Sequence, residues 1–111
     1  MIDLLRNHCL KKQHVSEGFP FDDHTLVFKL HGKIFVLFSL KDDPLRMNVK
    51  CSPEYAIELR ETYWQVKPGY HSNKKHWNTI VIESIDTDLI LKWIDHSYQL
   101  VWNKLPNRLK G

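Results

Sequence analysis

Thr25-Leu26-Val27-Phe28-Lys29-Leu30-His31-Gly32-Lys33-Ile34-Phe35-Val36-Leu37-Phe38-Ser39-Leu40 decides the fold. Two runs of β-branched and aromatic residues flank His31-Gly32, a pair suited to a two-residue hairpin turn with glycine at positive φ. That turn predicts a register in which Leu30 faces Lys33, Lys29 faces Ile34, Phe28 faces Phe35 and Val27 faces Val36. Period-two alternation then puts Leu26, Phe28, Leu30, Phe35 and Leu37 on one face. Val27, Ile34, Val36 and Phe38 fall on the other, beside Lys29. Both faces are apolar. Either the monomer covers both, or the second face binds another copy or a ligand.

Upstream, Ile2, Leu5 and Cys9 recur at helical spacing, which predicts a helix over 2–13. The stretch 16–24 carries Gly18, Pro20 and Asp22-Asp23 and reads as a loop, with Phe19 and Phe21 pinning it to the core. Downstream, Arg46 to Cys51 alternates cleanly, with Met47, Val49 and Cys51 inward and Arg46, Asn48 and Lys50 outward. Ser52-Pro53-Glu54 opens a second helix to about Tyr63, with serine at the N-cap and proline at the first helical position. In that helix Glu58 and Arg60 are expected in solvent. A short strand before or at Val66-Lys67 and another from His76 or Trp77 to Glu83 follow. Leu91, Ile94, Tyr98, Val101 and Leu105 mark a final amphipathic helix over about 86–104, which Pro106 stops. The expectation is one α+β domain over 1–111: helix, three strands, helix, two strands, helix. It has two layers, a largely antiparallel five-stranded sheet and a frayed tail over 105–111.

At 111 residues, 42% hydrophobic and 26% charged, the chain has the composition of a globular domain with one core. No apolar run reaches the roughly 20 residues of a membrane span. Asp3, Arg6 and His8 interrupt any secretory apolar segment, so the reading is cytoplasmic, with Cys9 and Cys51 as buried free thiols.

Charge is placed unevenly. Lys+Arg exceed Asp+Glu by 16 to 13, and residues 64–78 hold three lysines and no carboxylate, which accounts for the whole surplus. Lys67, Lys74 and Lys75 are suited to phosphate contacts. Tyr70 and Trp77 are suited to base stacking, and Asn73 and Asn78 to phosphate or base edges. Arg46 and Lys50 extend this patch if the outer face of their strand lies beside the loop. His71 and His76 lack a recognised ligand spacing and read as loop braces, so no metal or other cofactor is expected. No nucleophile elbow or phosphate-cradling glycine loop is present, and no enzymatic activity is expected.

The segments Asp23–Lys29, Asn48–Glu54, Pro68–Thr79 and Ile94–Tyr98, followed by Lys104-Leu105-Pro106, together resemble the MmcQ/YjbR family of small bacterial proteins. One departure is Ser72, where a larger apolar residue is typical. The resemblance implies the element order above, an architecture similar to frataxin-like and secretion-chaperone-like domains, and the family's label as DNA-binding through a double-wing motif. It therefore implies DNA as a partner, engaged weakly and without sequence preference by the basic aromatic loop. The alternative is a small-molecule or protein-binding module, a monomer or weak homodimer, using Val27, Ile34, Val36 and Phe38.

Overall fold

A computed structural model describes residues 1–69 and 72–110. The hairpin forms where expected. His31 and Gly32 both take positive φ, 47° and 79°, as a type I′ turn requires. It joins β2 (Thr25–Leu30) to β3 (Lys33–Ser39), and near the turn Leu30 pairs with Lys33 and Lys29 with Ile34. The ladder then slips between Phe28 and Lys29, so that Phe28 pairs with Val36, Val27 with Leu37 and Leu26 with Phe38. Phe35 is the extra residue of a β-bulge. A one-residue slip exchanges the faces of everything beyond it. Val36 and Phe38 are consequently fully buried in the core. Leu37 turns to the other face with Val27 and Ile34. Two of the four residues assigned to the second hairpin face thus belong to the first.

The bulge is anchored from the helical layer. Just past the last β3–β4 pair, Val36 with Val49, the buried Ser97 hydroxyl donates to the Phe35 carbonyl at 2.5 Å and accepts from the Lys50 N–H at 2.8 Å. Phe35 itself stacks edge-on against Tyr98.

The other elements are α1 (Ile2–Leu10), β1 (Val15–Gly18), β4 (Arg46–Lys50), α2 (Pro53–Thr62), β5 (Val66–Pro68), β6 (Trp77–Val81) and α3 (Thr87–Asn103). The fold is α+β, but the sheet has six strands in the order β1-β2-β3-β4-β6-β5, and every neighbouring pair is antiparallel. The unexpected strand is β1, inside the stretch read as a loop. With four residues and polar Ser16 and Glu17, it shows no apolar alternation. It is held as an edge by pairing with β2 and by Arg6, whose guanidinium grips Glu17 bidentately at 2.7 and 2.8 Å.

The helices cover one face. Leu26, Phe28, Val36, Phe38, Met47 and Ile80 meet Leu5, Ala56, Leu59, Trp93 and Ile94 in a single core. Up to Lys110, the tail read as frayed is tied down instead, at Leu105 and Leu109. Leu105 is buried, Asn107–Leu109 forms a 3₁₀ turn, and the Leu109 carbonyl lies 3.1 Å from His31 Nε2. Phe19 and Phe21, expected as core anchors, are 48% and 65% exposed.

Candidate binding cleft

The face of the sheet away from the helices is a shallow floor, and its chemistry follows from register. Directly paired residues share a face. One row across the strands is Thr25, Ser39, Arg46 and Val81; the next is Val27, Leu37, Asn48, Thr79 and Lys67. Trp77 lies beyond them, paired with Lys50. The Thr79 hydroxyl donates to Asn48 Oδ1 across β4 and β6. Two loops rise over this floor and enclose a cleft of about 880 Å³. Phe21, Asp22 and His24 line one wall, Ser72 and Asn73 the other, and Lys41 and Asp42 one end.

The first wall is built by local hydrogen bonds. Asp22 Oδ1 accepts the N–H groups of His24 at 3.0 Å and Thr25 at 2.6 Å, and Oδ2 accepts the Thr25 hydroxyl at 3.0 Å. This is the turn an aspartate makes with the backbone two and three residues on. Desolvation pushes the Asp22 carboxyl up, but the donors from His24 and Thr25 outweigh it and hold the group below the usual carboxylate range. His24 has both ring nitrogens against carboxylates, Nε2 at 3.2 Å from Asp22 and Nδ1 at 3.1 Å from Asp23. Both ring nitrogens are thus taken up by neighbouring carboxylates.

The second wall is held from a distance by Arg60 of α2, read from sequence as a solvent residue. Its Nε donates to Asn78 Oδ1 at 2.6 Å, and its Nη2 to the carbonyls of Trp77, at 3.2 Å, and Lys74. Asn78 is fully buried on the helix side and donates to the Ala56 carbonyl at 3.3 Å. It is therefore a structural pin and not a nucleic-acid contact. Asn73 Oδ1 accepts from the Lys75 N–H at 2.9 Å. His76 braces the loop through its main chain, accepting from Cys51 N–H at 2.7 Å and donating to the Asn73 carbonyl at 3.1 Å. Gly69 passes so close to β6 that a Cβ there would lie 2.8 Å from Trp77 Cβ.

Of the residues expected to contact nucleic acid, Arg46, Asn73 and Trp77 come together in the cleft, and Lys67 shares its face by register. Lys74 and Lys75 are exposed on the adjoining loop. Lys50, although paired with Trp77, stands beside Lys104; desolvation and that second cation lower its pKa. Tyr70 and His71 lie outside the described residues. The floor residues Ile34, Leu37, Asn48 and Thr79 do not read as one site in the sequence, because the bulge that aligns them leaves no mark in the pattern.

Cys9 and Cys51 are free and buried, and desolvation pushes their thiols up to about 12 and about 11. Among the described residues no group of three or more His, Cys, Asp or Glu is placed to hold a metal ion. No helix among them is long and apolar enough to cross a membrane.

The YjbR family model matches residues 10–100. The chain is 39% identical over 102 residues to uncharacterized protein YbdF of Escherichia coli O157:H7, covering 90% of this chain and 83% of that protein. It is 29% identical over 106 residues to uncharacterized protein YjbR of Escherichia coli K12, covering 95% and 90%. The crystal structure of Deinococcus radiodurans protein DR2400 superposes with a TM-score of 0.92 at 37% identity, covering 99% of this chain and 85% of that one. Sequence and fold agree across nearly the whole chain, which belongs to the YjbR family.

Proposed function

We propose that this YjbR-family chain is a non-enzymatic binding protein whose ligand occupies the open-face cleft. The supporting observation is the cleft itself. It sets Arg46, Asn48, Ser39 and Thr79 around the apolar surfaces of Leu37, Ile34 and Trp77, in a volume of about 880 Å³. A concave apolar site with a few convergent polar groups is the usual form of a small-ligand pocket. Binding is favoured over catalysis because the buried thiols are far above neutrality and both nitrogens of His24 are turned to carboxylates. The test is amide chemical-shift mapping against a small-fragment library. Hits are expected to shift Leu37, Asn48 and Trp77 and to vanish in Leu37→Glu. Hits that map elsewhere, or that survive Leu37→Glu, refute the assignment.

A second reading keeps nucleic acid as the partner, and one observation favours it: Lys67, Arg46, Asn73 and Trp77 share a face next to the exposed Lys74 and Lys75. Asp22 and Asp42 line the same cleft, and the exposed Asp23 and Asp43 adjoin them, so a polyanion is confined to the basic side. Three to five phosphate contacts give a log–log salt slope of roughly −3 to −4.5. Fluorescence anisotropy at low salt should then show weak binding of DNA with no sequence preference, reduced in the Lys74→Ala, Lys75→Ala double variant. No binding at about 50 μM protein, far above an electrostatically driven dissociation constant at low salt, would eliminate this reading.

A further inference from the structure

We propose that His96 is a pH-sensitive latch between α3 and the start of α2, closed while its imidazole is neutral and opened by protonation. Where β4 hands over to α2, three successive N–H groups find partners in turn. Lys50 N–H donates to the Ser97 hydroxyl at 2.8 Å, Cys51 N–H to the His76 carbonyl at 2.7 Å, and Ser52 N–H to His96 Nε2 at 3.3 Å. Lys50 and Ser52 are thus tied to adjacent residues of α3, and Cys51 to the base of the loop that forms the second wall. Ser52 is also the N-cap of α2, and among the described residues its hydroxyl makes no capping hydrogen bond. The His96 ring therefore holds a helix start that lacks a side-chain cap of its own.

This bond admits one protonation state. The Ser52 N–H needs the lone pair of Nε2, so the ring is neutral with its proton on Nδ1. An imidazolium has no lone pair and would meet that N–H donor to donor. It would also set a positive charge against the N-terminal end of α2, where the helix dipole is already positive. Nothing nearby offsets this. Tyr55 of α2 packs edge-on at 4.8 Å, with its hydroxyl accepting from the Trp93 indole. Glu54 is exposed in the first turn of α2, Lys92 lies one turn back on α3, and Asp95 is engaged by Lys12 and His8. On β4 and just after it, Lys50 stands beside Lys104, and the Cys51 thiol, pushed up to about 11, stays neutral. Among the described residues no carboxylate is in ion-pair contact with the His96 ring. Burial accordingly lowers the His96 pKa from its ordinary value of 6.5. A folded value below the unfolded one means that the latch contributes fully above the ordinary value and is lost as pH falls through the lowered one.

The experiment titrates the full chain from about pH 8 to 5, the window in which histidine changes charge. It follows the His96 ring signal together with amide exchange corrected for the intrinsic effect of pH. His96 should titrate below 6.5. Exchange at Ser52 should accelerate by about three- to tenfold with the same midpoint, the value of one lost hydrogen bond. Cys51, the next link in the junction, should follow with a smaller rise. Lys50, bound to a hydroxyl that does not titrate, and Trp77 and Asn78, held by Arg60, should keep their protection. In His96→Gln, whose carboxamide oxygen accepts a hydrogen bond and takes up no proton in this range, the step at Ser52 should vanish. A His96 midpoint at or above 6.5, or Ser52 protection unchanged through that midpoint, overturns the latch on the wild-type chain alone. A step at Ser52 that persists in His96→Gln overturns it equally.

Discussion

The two walls of the cleft are made in opposite ways. The Asp22 wall is shaped mainly by its own strand: every bond the Asp22 carboxylate accepts from His24 and Thr25 spans two or three residues, and the main chain adds one tie across the hairpin, from the Leu40 N–H to the His24 carbonyl at 2.8 Å. The wall at Ser72 and Asn73 is tied to α2 by Arg60, which reaches 14 to 18 residues along the chain to Lys74, Trp77 and Asn78. A local turn forms whenever its aspartate is present. A wall held from a helix exists only when the helix is docked. One side of the site is thus a property of sequence and the other a property of the folded core.

Replacing Arg60 tests this most severely. Arg60→Ala strips the fully buried Asn78 of its Oδ1 donor and removes a donor from the Lys74 and Trp77 carbonyls, the second of which keeps the Gly69 N–H at 2.9 Å. A buried polar group left unpaired costs about 1–3 kcal/mol. With the hydrogen bonds to the Lys74 and Trp77 carbonyls broken as well, the expected destabilisation in urea unfolding is about 2–4 kcal/mol. Amide exchange should accelerate at 72–77 and stay unchanged at 22–25. Equal acceleration at both walls would show that they are coupled and erase the distinction between them.

Gly69→Ala sharpens it without touching α2. The new Cβ must displace Trp77 Cβ or the Trp77 carbonyl, now 2.8 and 3.0 Å away, both parts of a paired strand. The expected cost is about 1–3 kcal/mol, as for overpacking elsewhere. Its signature is altered ligand affinity through Trp77, with normal exchange at His24 and Thr25. An unperturbed Trp77 indole signal would refute the close approach as a determinant of the cleft.

The same contrast explains what the sequence could show. The hairpin, β4, the three helices and the strand at Trp77 follow from short-range periodicity and caps, and all appear. The turn at Asp22-Asp23 is legible as a cap because its partners are neighbours. Arg60 is not, although a hint exists: it lies four residues after the buried Ala56, on the stripe that also holds Leu59 and Tyr63. A charge on an apolar stripe signals a buried partner, and here the partner is Asn78. The bulge is illegible for a deeper reason. Phe35 and Val36 are both suited to a strand interior, so nothing local chooses the slipped ladder over the regular one. The choice is made by Ser97, 62 residues from Phe35, whose hydroxyl receives the irregular strand. Alternation alone consequently puts Val36 and Phe38 on the wrong face, and the floor of the cleft with them.

The smallest expected effect separates the walls by pH alone. The donors from His24 and Thr25 keep the Asp22 carboxyl below the ordinary range, so the folded form binds a proton less readily than the unfolded chain does. Its contribution is complete above the unfolded value, near pH 3.9, and is lost as pH falls through the lowered folded value. The opposite wall is closed by an amide and two carbonyls as acceptors, none of which titrates. Acidification from pH 7 to about 4.5 should therefore leave both walls intact through this group, because carboxylates near the reference value remain mostly ionised there. Below the ordinary carboxylate range, as Asp22 takes up its proton, the amide signals of His24 and Thr25 should move, while those of Trp77 and Asn78 hold until global unfolding. In Asp22→Ala the early acid transition should be absent and the neutral spectrum already shifted at His24 and Thr25, with a stability loss smaller than that of Arg60→Ala. If Trp77 and Asn78 titrate together with His24 and Thr25 in the wild type, the wall built on the core is not independent of the wall built on the turn.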